Sequence, residues 1–184
     1  MLTLTLLVKT LVDLYIMVLL LRIWMQWMRC DFYNPFSQFI VKITQLVIKP
    51  LRRMMPSICP IYTTVFLLTF ILTIIKFPLL TLIETHVLII DPVYFLGGLL
   101  ALLKAVGELV FWVVMIRSLL SWVSQKRSPM DIVLYQLSEP LMRPIRRILP
   151  AIGGIDFSAM LVTLILYALN YLGMNLFPGI WYRL

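Results

Sequence analysis

Asp13 and Arg22 lie in one long apolar run of the chain, and Glu108 and Arg117 lie in another. A charge in hydrocarbon is costly, about 2.5–3.5 kcal/mol at a bilayer centre on insertion scales. Such residues are therefore either anchors near an interface or members of an internal pair. Lys9 precedes Asp13 by four residues and Lys104 precedes Glu108 by four, which places each pair on one helix face. The plain reading is anchoring at one membrane interface. The sharper reading is a pair of acids at a shared axis that binds protons or cations.

Arg22 is followed five residues later by Trp27, and Arg117 by Trp122. At 1.5 Å per residue each arginine lies about 7.5 Å deeper than its tryptophan, and tryptophan belongs at headgroup level. Two environments fit: snorkelling to lipid phosphate, or facing the bundle interior against carbonyls or a carboxylate. Asp13 and Glu108 cannot serve, because they lie about 13.5 Å further along their helices. For Arg117 the expected partner is Asp156, or the carbonyls of a Gly153-Gly154 turn.

Catalytic signals are weak. His86 is the single histidine, and Cys30 and Cys59 lack zinc-ligand spacing. There is no Gly-x-Ser-x-Gly and no phosphate-binding glycine loop. The expectation is a non-enzymatic protein with no cofactor and no metal.

Four apolar stretches must position these charges, roughly Leu4–Met28, Ile61–Ile83, Leu96–Val123 and Phe157–Leu176. Each is near the ~20 residues that a helix needs to span a bilayer. The 184 residues are 62% hydrophobic, against ~45–50% in a soluble domain, and mean hydropathy is +1.00. Alternating strand patterns are absent, which argues against a membrane β-barrel. The expected fold is all-α, a membrane protein of about four transmembrane helices. The N-terminus has no basic region and no small-residue cleavage site, so it reads as a retained first crossing.

An internal repeat organises the chain. Lys9, Asp13, Arg22 and Trp27 recur 95 positions later as Lys104, Glu108, Arg117 and Trp122. After a one-residue slip, Pro35, Pro50, Arg52, Arg53 and Pro56 recur 94 positions later as Pro129, Pro144, Arg146, Arg147 and Pro150. Two units follow, 1–90 and 91–184, each a crossing, an amphipathic helix and a second crossing. Two crossings separate equivalent points, so the units are parallel, related by a pseudo-two-fold along the membrane normal.

In the amphipathic segments, Asn34-Pro35 and Ser128-Pro129 read as N-cap plus first helical residue. Phe36, Ile40, Ile43 and Val47 step along one face, and Gln38, Lys42, Gln45 and Lys49 along the other. That pattern suits a helix lying in the interface plane. In the second unit Ile132, Val133, Leu137 and Leu141 form the apolar side. Pro50 and Pro144 are expected to end or kink these helices.

Net charge is +8. Arg29, Lys42, Lys49, Arg52 and Arg53 gather in one basic segment, and Lys126, Arg127, Arg143, Arg146 and Arg147 in the other. The partner they suit is an anionic lipid surface, not nucleic acid, since no separate soluble basic domain carries them. By the positive-inside rule both segments are cytoplasmic and both termini periplasmic, with Lys76 near the outer boundary. Gly97, Ala101 and Ala105 form a small-residue stripe for close helix packing, within the chain or in a homo-oligomer.

The most distinctive stretch runs from Pro144 through Arg146, Arg147, Pro150, Gly153 and Gly154 to Asp156 and Ser158. Either Asp156 or Ser158 can cap the last crossing. The tandem apolar helices, the Pro-x-Arg-Arg-x-x-Pro element and the Gly-Gly-Ile-Asp turn resemble the YggT family of bacterial membrane proteins, in its two-unit form, over nearly the whole chain. The first unit departs from the pattern, with Cys59, Pro60 and Tyr62 in place of the glycines and aspartate. The resemblance implies a multi-pass protein of the bacterial inner membrane, in a family linked to osmotic tolerance, ion uptake and, in plastids, membrane-complex maturation. A scaffold or assembly factor that binds other inner-membrane proteins is the expected function. The alternative is a small oligomeric channel or transport module for ions.

Overall fold

The structure is a computed structural model that describes residues 2–54, 61–87, 91–123, 128–148, 157–181 and 184. Among them are six helices: α1 (Leu2–Trp27), α2 (Pro35–Met54), α3 (Ile61–Thr85), α4 (Val93–Val123), α5 (Pro129–Ile148) and α6 (Ser158–Leu176). Four contain stretches long and apolar enough to cross a membrane, namely Thr3–Trp27, Thr63–Thr85, Val93–Ser121 and Ser158–Leu176. The order of crossing, amphipathic helix and crossing occurs twice.

The helix starts follow local chemistry. Asn34 Oδ1 accepts from Phe36 N at 3.0 Å, and Ser128 Oγ accepts from Asp131 N at 3.1 Å, so both expected caps form. Asp91 Oδ1 accepts from Val93 N at 2.9 Å at the head of α4. At the last crossing Ser158 is not the cap. The cap position is Phe157, without a side-chain cap bond, and Ser158 instead donates its hydroxyl to Met142 Sδ at 3.1 Å. Asp156 lies outside the described residues.

Pro50 and Pro144 do not end their helices; α2 and α5 run about a turn beyond them. The carbonyls that lose a partner lie on exposed turns at the polar end of the bundle, where water can satisfy them. Helix α1 stops differently. Arg29 adopts a left-handed backbone (φ 52°), Cys30 N donates to Met25 O at 3.0 Å and Arg29 N donates to Gln26 O at 3.2 Å. This is the double carbonyl closure that usually ends on glycine. Cys30 is buried beneath the turn, and burial pushes its thiol up from the usual range.

Helices α1, α3 and α4 pack together, α6 packs on α4, and α2 and α5 lie across one end. A central cluster joins Ile16, Leu20 and Met25 of α1, Ile40 of α2, Leu102, Leu109 and Val113 of α4, and Val133, Leu134 and Leu137 of α5. Two smaller clusters flank it, Leu19 with Ile48, Val65 and Leu68, and Val114 with Met142 and Val162. The sequence offsets of 95 and 94 carry Leu19, Ile48 and Leu68 onto Val114, Met142 and Val162. The second crossings thus seat on their amphipathic helices in the same way in both halves.

Of the expected apolar face of α2, Ile40 is buried and Phe36 and Val47 pack against the bundle, while Ile43 does not. Ser37, Ile40, Thr44 and Ile48 face the bundle, while Phe39, Ile43 and Leu46 are exposed on a second apolar stripe. On that face Thr44 Oγ1 donates to its own preceding turn at Ile40 O (2.8 Å), while the buried Ser37 hydroxyl has no partner. The small-residue stripe of α4 packs within the chain: Ala101 is buried against Trp181 and Leu184. On α4 the tightest approach is at Gly98, where a Cβ would lie 2.5 Å from Ile74 Cγ1 and 3.2 Å from its Cα.

Candidate functional site

Both intramembrane arginines turn inward. Arg22 is 5% exposed and donates from Nη1 to Thr44 Oγ1, with Val41 O at 3.4 Å. Arg117 donates from Nη1 to Ser138 Oγ at 2.5 Å. The 94-residue offset carries Thr44 onto Ser138, so each arginine ties its crossing to the hydroxyl at the same place on its amphipathic helix. Both side chains are thus anchored inside the bundle rather than laid along the outer face of their helices. Trp27, by contrast, is 79% exposed at the end of α1.

The two arginines differ in what neutralises them. Arg117 Nη2 lies 3.5 Å from Glu139 Oε2, and its guanidinium sits 4.7 Å from the Tyr135 ring centroid. Glu139 also meets Arg146 Nη1 at 3.2 Å. At the corresponding position of α2 stands Gln45, and among the described residues no carboxylate forms an ion pair with Arg22. The partners expected for Arg117, Asp156 and the Gly153-Gly154 turn, lie outside the described residues. Arg52, Arg143 and Arg147 are exposed on the last turns of α2 and α5. The side chains of Arg53 and Trp122 also lie outside the described residues.

At the opposite end of the crossings, Lys9, Asp13, Lys76, Lys104 and Glu108 line one cavity of about 230 Å³ between α1, α3 and α4. At the basic end, Asn34 Nδ2 donates to Pro129 O at 2.7 Å. Helices α1 and α4 therefore run parallel, with like residues at like ends. Lys76 is 3% exposed, and its Nζ meets Asp13 Oδ1 at 2.5 Å and Leu184 O at 3.0 Å. It was expected near the outer boundary. It stands at that end of the bundle, in the cavity with Lys9 and Lys104, and is turned inward because its carboxylate partner Asp13 is on α1. Glu108 is exposed on the α6 side of the cavity.

A second cavity, of about 440 Å³, adjoins Lys104 and Glu108 between α4 and α6. Lys104 Nζ sits 5.9 Å from the Trp181 ring, and Trp181 Nε1 donates to Asn170 Oδ1 at 2.9 Å. Trp181 packs over Gly173, where any Cβ would overlap the indole. Among the described residues no group of three or more His, Cys, Asp or Glu side chains could hold a metal ion.

Sequence reasoning found both arginines and both acid–lysine pairs, and the structure brings them to two ends of one bundle. It missed Thr44, Ser138, Glu139 and Lys76. The recurrence of a small hydroxyl at 94 residues' separation was the signal for the first two.

The CCB3/YggT family model matches residues 1–83 and 96–177. The YggT protein of Escherichia coli is 52% identical over 190 residues, spanning 99% of each chain. A protein of the proC 3′ region of Vibrio alginolyticus is 51% identical over 179 residues, 97% of each chain. A relative in Pseudomonas aeruginosa is 32% identical over 177 residues, 91% of this chain and 86% of its own. No solved structure matches the chain. With four helices long enough to cross a bilayer and a family match over both of its halves, the chain belongs to the CCB3/YggT family of membrane proteins.

Proposed function

We propose that this chain is a non-enzymatic scaffold or assembly factor of the bacterial inner membrane, built from two copies of one unit (1–90 and 91–184). In this reading its basic end lies in the cytoplasm against anionic headgroups and both termini are periplasmic. It holds other inner-membrane proteins, and through them supports tolerance of osmotic stress. The observation that carries the reading is how the intramembrane charges are used. Arg22, Arg117 and Lys76 each tie one helix to another, which stiffens the bundle. Helix α6 meanwhile buries only Ser158, Val162 and Gly173 and turns Leu164, Tyr167, Tyr171 and Leu172 outward. A rigid bundle with one lightly packed crossing offers a lateral surface for a second membrane protein or a second copy.

Photocrosslinkers at Tyr167 and Tyr171 in native membranes test this. Recovery of a reproducible set of inner-membrane proteins is the expected result, and adducts to lipid alone would remove the reading. The alternative, an oligomeric ion channel or transport module, draws support from the charged cavity at Asp13 and Lys76. Ion flux through purified protein in liposomes, lost on Asp13→Asn, would favour it over the scaffold.

A further inference from the structure

Arg22 lies in a cavity of about 360 Å³ at the basic end, between α1 and α2, together with Gln26, Phe32, Gln38, Lys42 and Gln45. The volume is within the ~300–1,000 Å³ typical of small-ligand sites. Arg22 is nineteen-twentieths buried, yet its Nε has no partner, and neither has the buried Gln26 Oε1. Arg22 Nη1 is used on neutral oxygens alone, the Thr44 hydroxyl and the Val41 carbonyl. A guanidinium taken out of water needs a counter-charge. The second half meets that need internally, through Glu139 beside Arg117. In the first half the same position is Gln45, and the polar groups around the cavity are a second cation, Lys42, and three amides.

A cavity with two cations and no carboxylate in its lining suits an oxyanion with several acceptor oxygens, with Gln45 and a turned Gln26 able to add NH2 donors while Gln38 Nε2 donates to Tyr33 O at 3.3 Å. We propose that it binds a phosphate group, supplied by the headgroup of an anionic phospholipid. Arg22 and Lys42 would hold the phosphate, and the acyl chains would leave past Phe32 along the exposed apolar stripe of Phe39, Ile43 and Leu46. The depth fits. Arg22 is about 7.5 Å below Trp27, within reach of a headgroup phosphate for a long side chain. In the second half Glu139 stands beside Arg117, where an anion would otherwise sit.

The test uses the purified full chain in neutral detergent, with its unfolding midpoint followed against phosphatidylglycerol, phosphatidylcholine and inorganic phosphate. Phosphatidylglycerol should raise the midpoint and phosphatidylcholine should not. Gln45→Glu supplies the missing carboxylate at an exposed position and should abolish the response. Lys42→Gln should shift half-saturation about fivefold, the equivalent of the ~1 kcal/mol that one basic residue contributes near an anionic surface. Glu139→Gln should add a second, weaker lipid response at Arg117. An equal response of the parent and Gln45→Glu, or an equal effect of phosphatidylcholine, would overturn the site. Inorganic phosphate acting as strongly as the lipid would overturn the headgroup as its source. These variants lie away from α6, so loss of this site and loss of the crosslinked partners can be told apart.

Discussion

Arg22 and Arg117 occupy corresponding points of α1 and α4, yet among the described residues only Arg117 has a carboxylate beside it, Glu139 at 3.5 Å. At the other end the asymmetry is reversed. Asp13 of the first half has a buried cation from its own second crossing, Lys76. The residue 94 positions on from Lys76 is Asn170, whose carbonyl accepts from Trp181 rather than meeting Glu108. The buried arginine is paired with a carboxylate within the second half, and the Asp13 carboxylate with a buried lysine within the first. The two halves share one fold but divide the electrostatic work, so neither one is a spare copy of the other.

The largest effect expected from this division is at Lys76. Lys76→Met leaves Asp13 below the surface without the cation it bonds. Breaking a buried pair costs about 3–5 kcal/mol, and the lower figure is expected because Asp13 is about a third exposed. Asn170→Ala removes one neutral hydrogen bond and should cost about 1 kcal/mol. Adding Asp13→Leu to Lys76→Met should recover most of the loss, since an apolar pair of similar size replaces buried ions at little cost. Thermal unfolding in detergent reads all four proteins. Equal losses at Lys76 and Asn170 would end the claim that the halves differ at this end.

A second comparison sets α2 against α5. Ile43 is 38% exposed, while Leu137, 94 positions on, is fully buried in the central cluster. Leu137→Ala should therefore cost about 2–5 kcal/mol as a core truncation, and Ile43→Ala under about 1 kcal/mol. Ile40→Ala should behave like Leu137→Ala, because Ile40 is in the same cluster. A similar cost at Ile43 and Ile40 would show that α2 packs with the face expected from its hydrophobic stepping.

That face is where the sequence was hardest to read. The four crossings were legible because length and hydropathy alone decide them, and the bounds of α1 and α4 agree within three residues. Both amphipathic helix starts were legible because Asn34-Pro35 and Ser128-Pro129 carry the cap chemistry in adjacent residues. The orientation of α2 was legible only in part, through Phe36, Ile40 and Val47. Ser37 and Thr44 count as polar in any periodicity, yet both are fully buried against the bundle. Only the arginine reaching from another helix gives Thr44 a reason to be there. For Lys76 the depth was legible and the partner was not. Hydropathy places a lysine in depth to within a turn or so, and the identity of its partner is a fact about how α1 and α3 meet.

The smallest expected effect concerns the contact between the halves at the basic end. Asn34 does two things: its Oδ1 caps α2 at Phe36 N, and its Nδ2 bridges to Pro129 O at 2.7 Å. Ser128 caps α5 at Asp131 N. A lost cap costs about 1 kcal/mol, and a buried amide–carbonyl bond contributes about as much again. Asn34→Ala should then lose about 2 kcal/mol and Ser128→Ala about 1 kcal/mol, both by unfolding in detergent. Asn34→Ser separates the two roles, because serine keeps the cap and cannot reach Pro129. Its loss should fall midway between the parent and Asn34→Ala. If Asn34→Ser is as stable as the parent, the bridge contributes nothing and the halves are held at this end by the central apolar cluster. If it is as unstable as Asn34→Ala, the bridge carries the whole effect, and the first half depends on the second even for the placement of its own amphipathic helix.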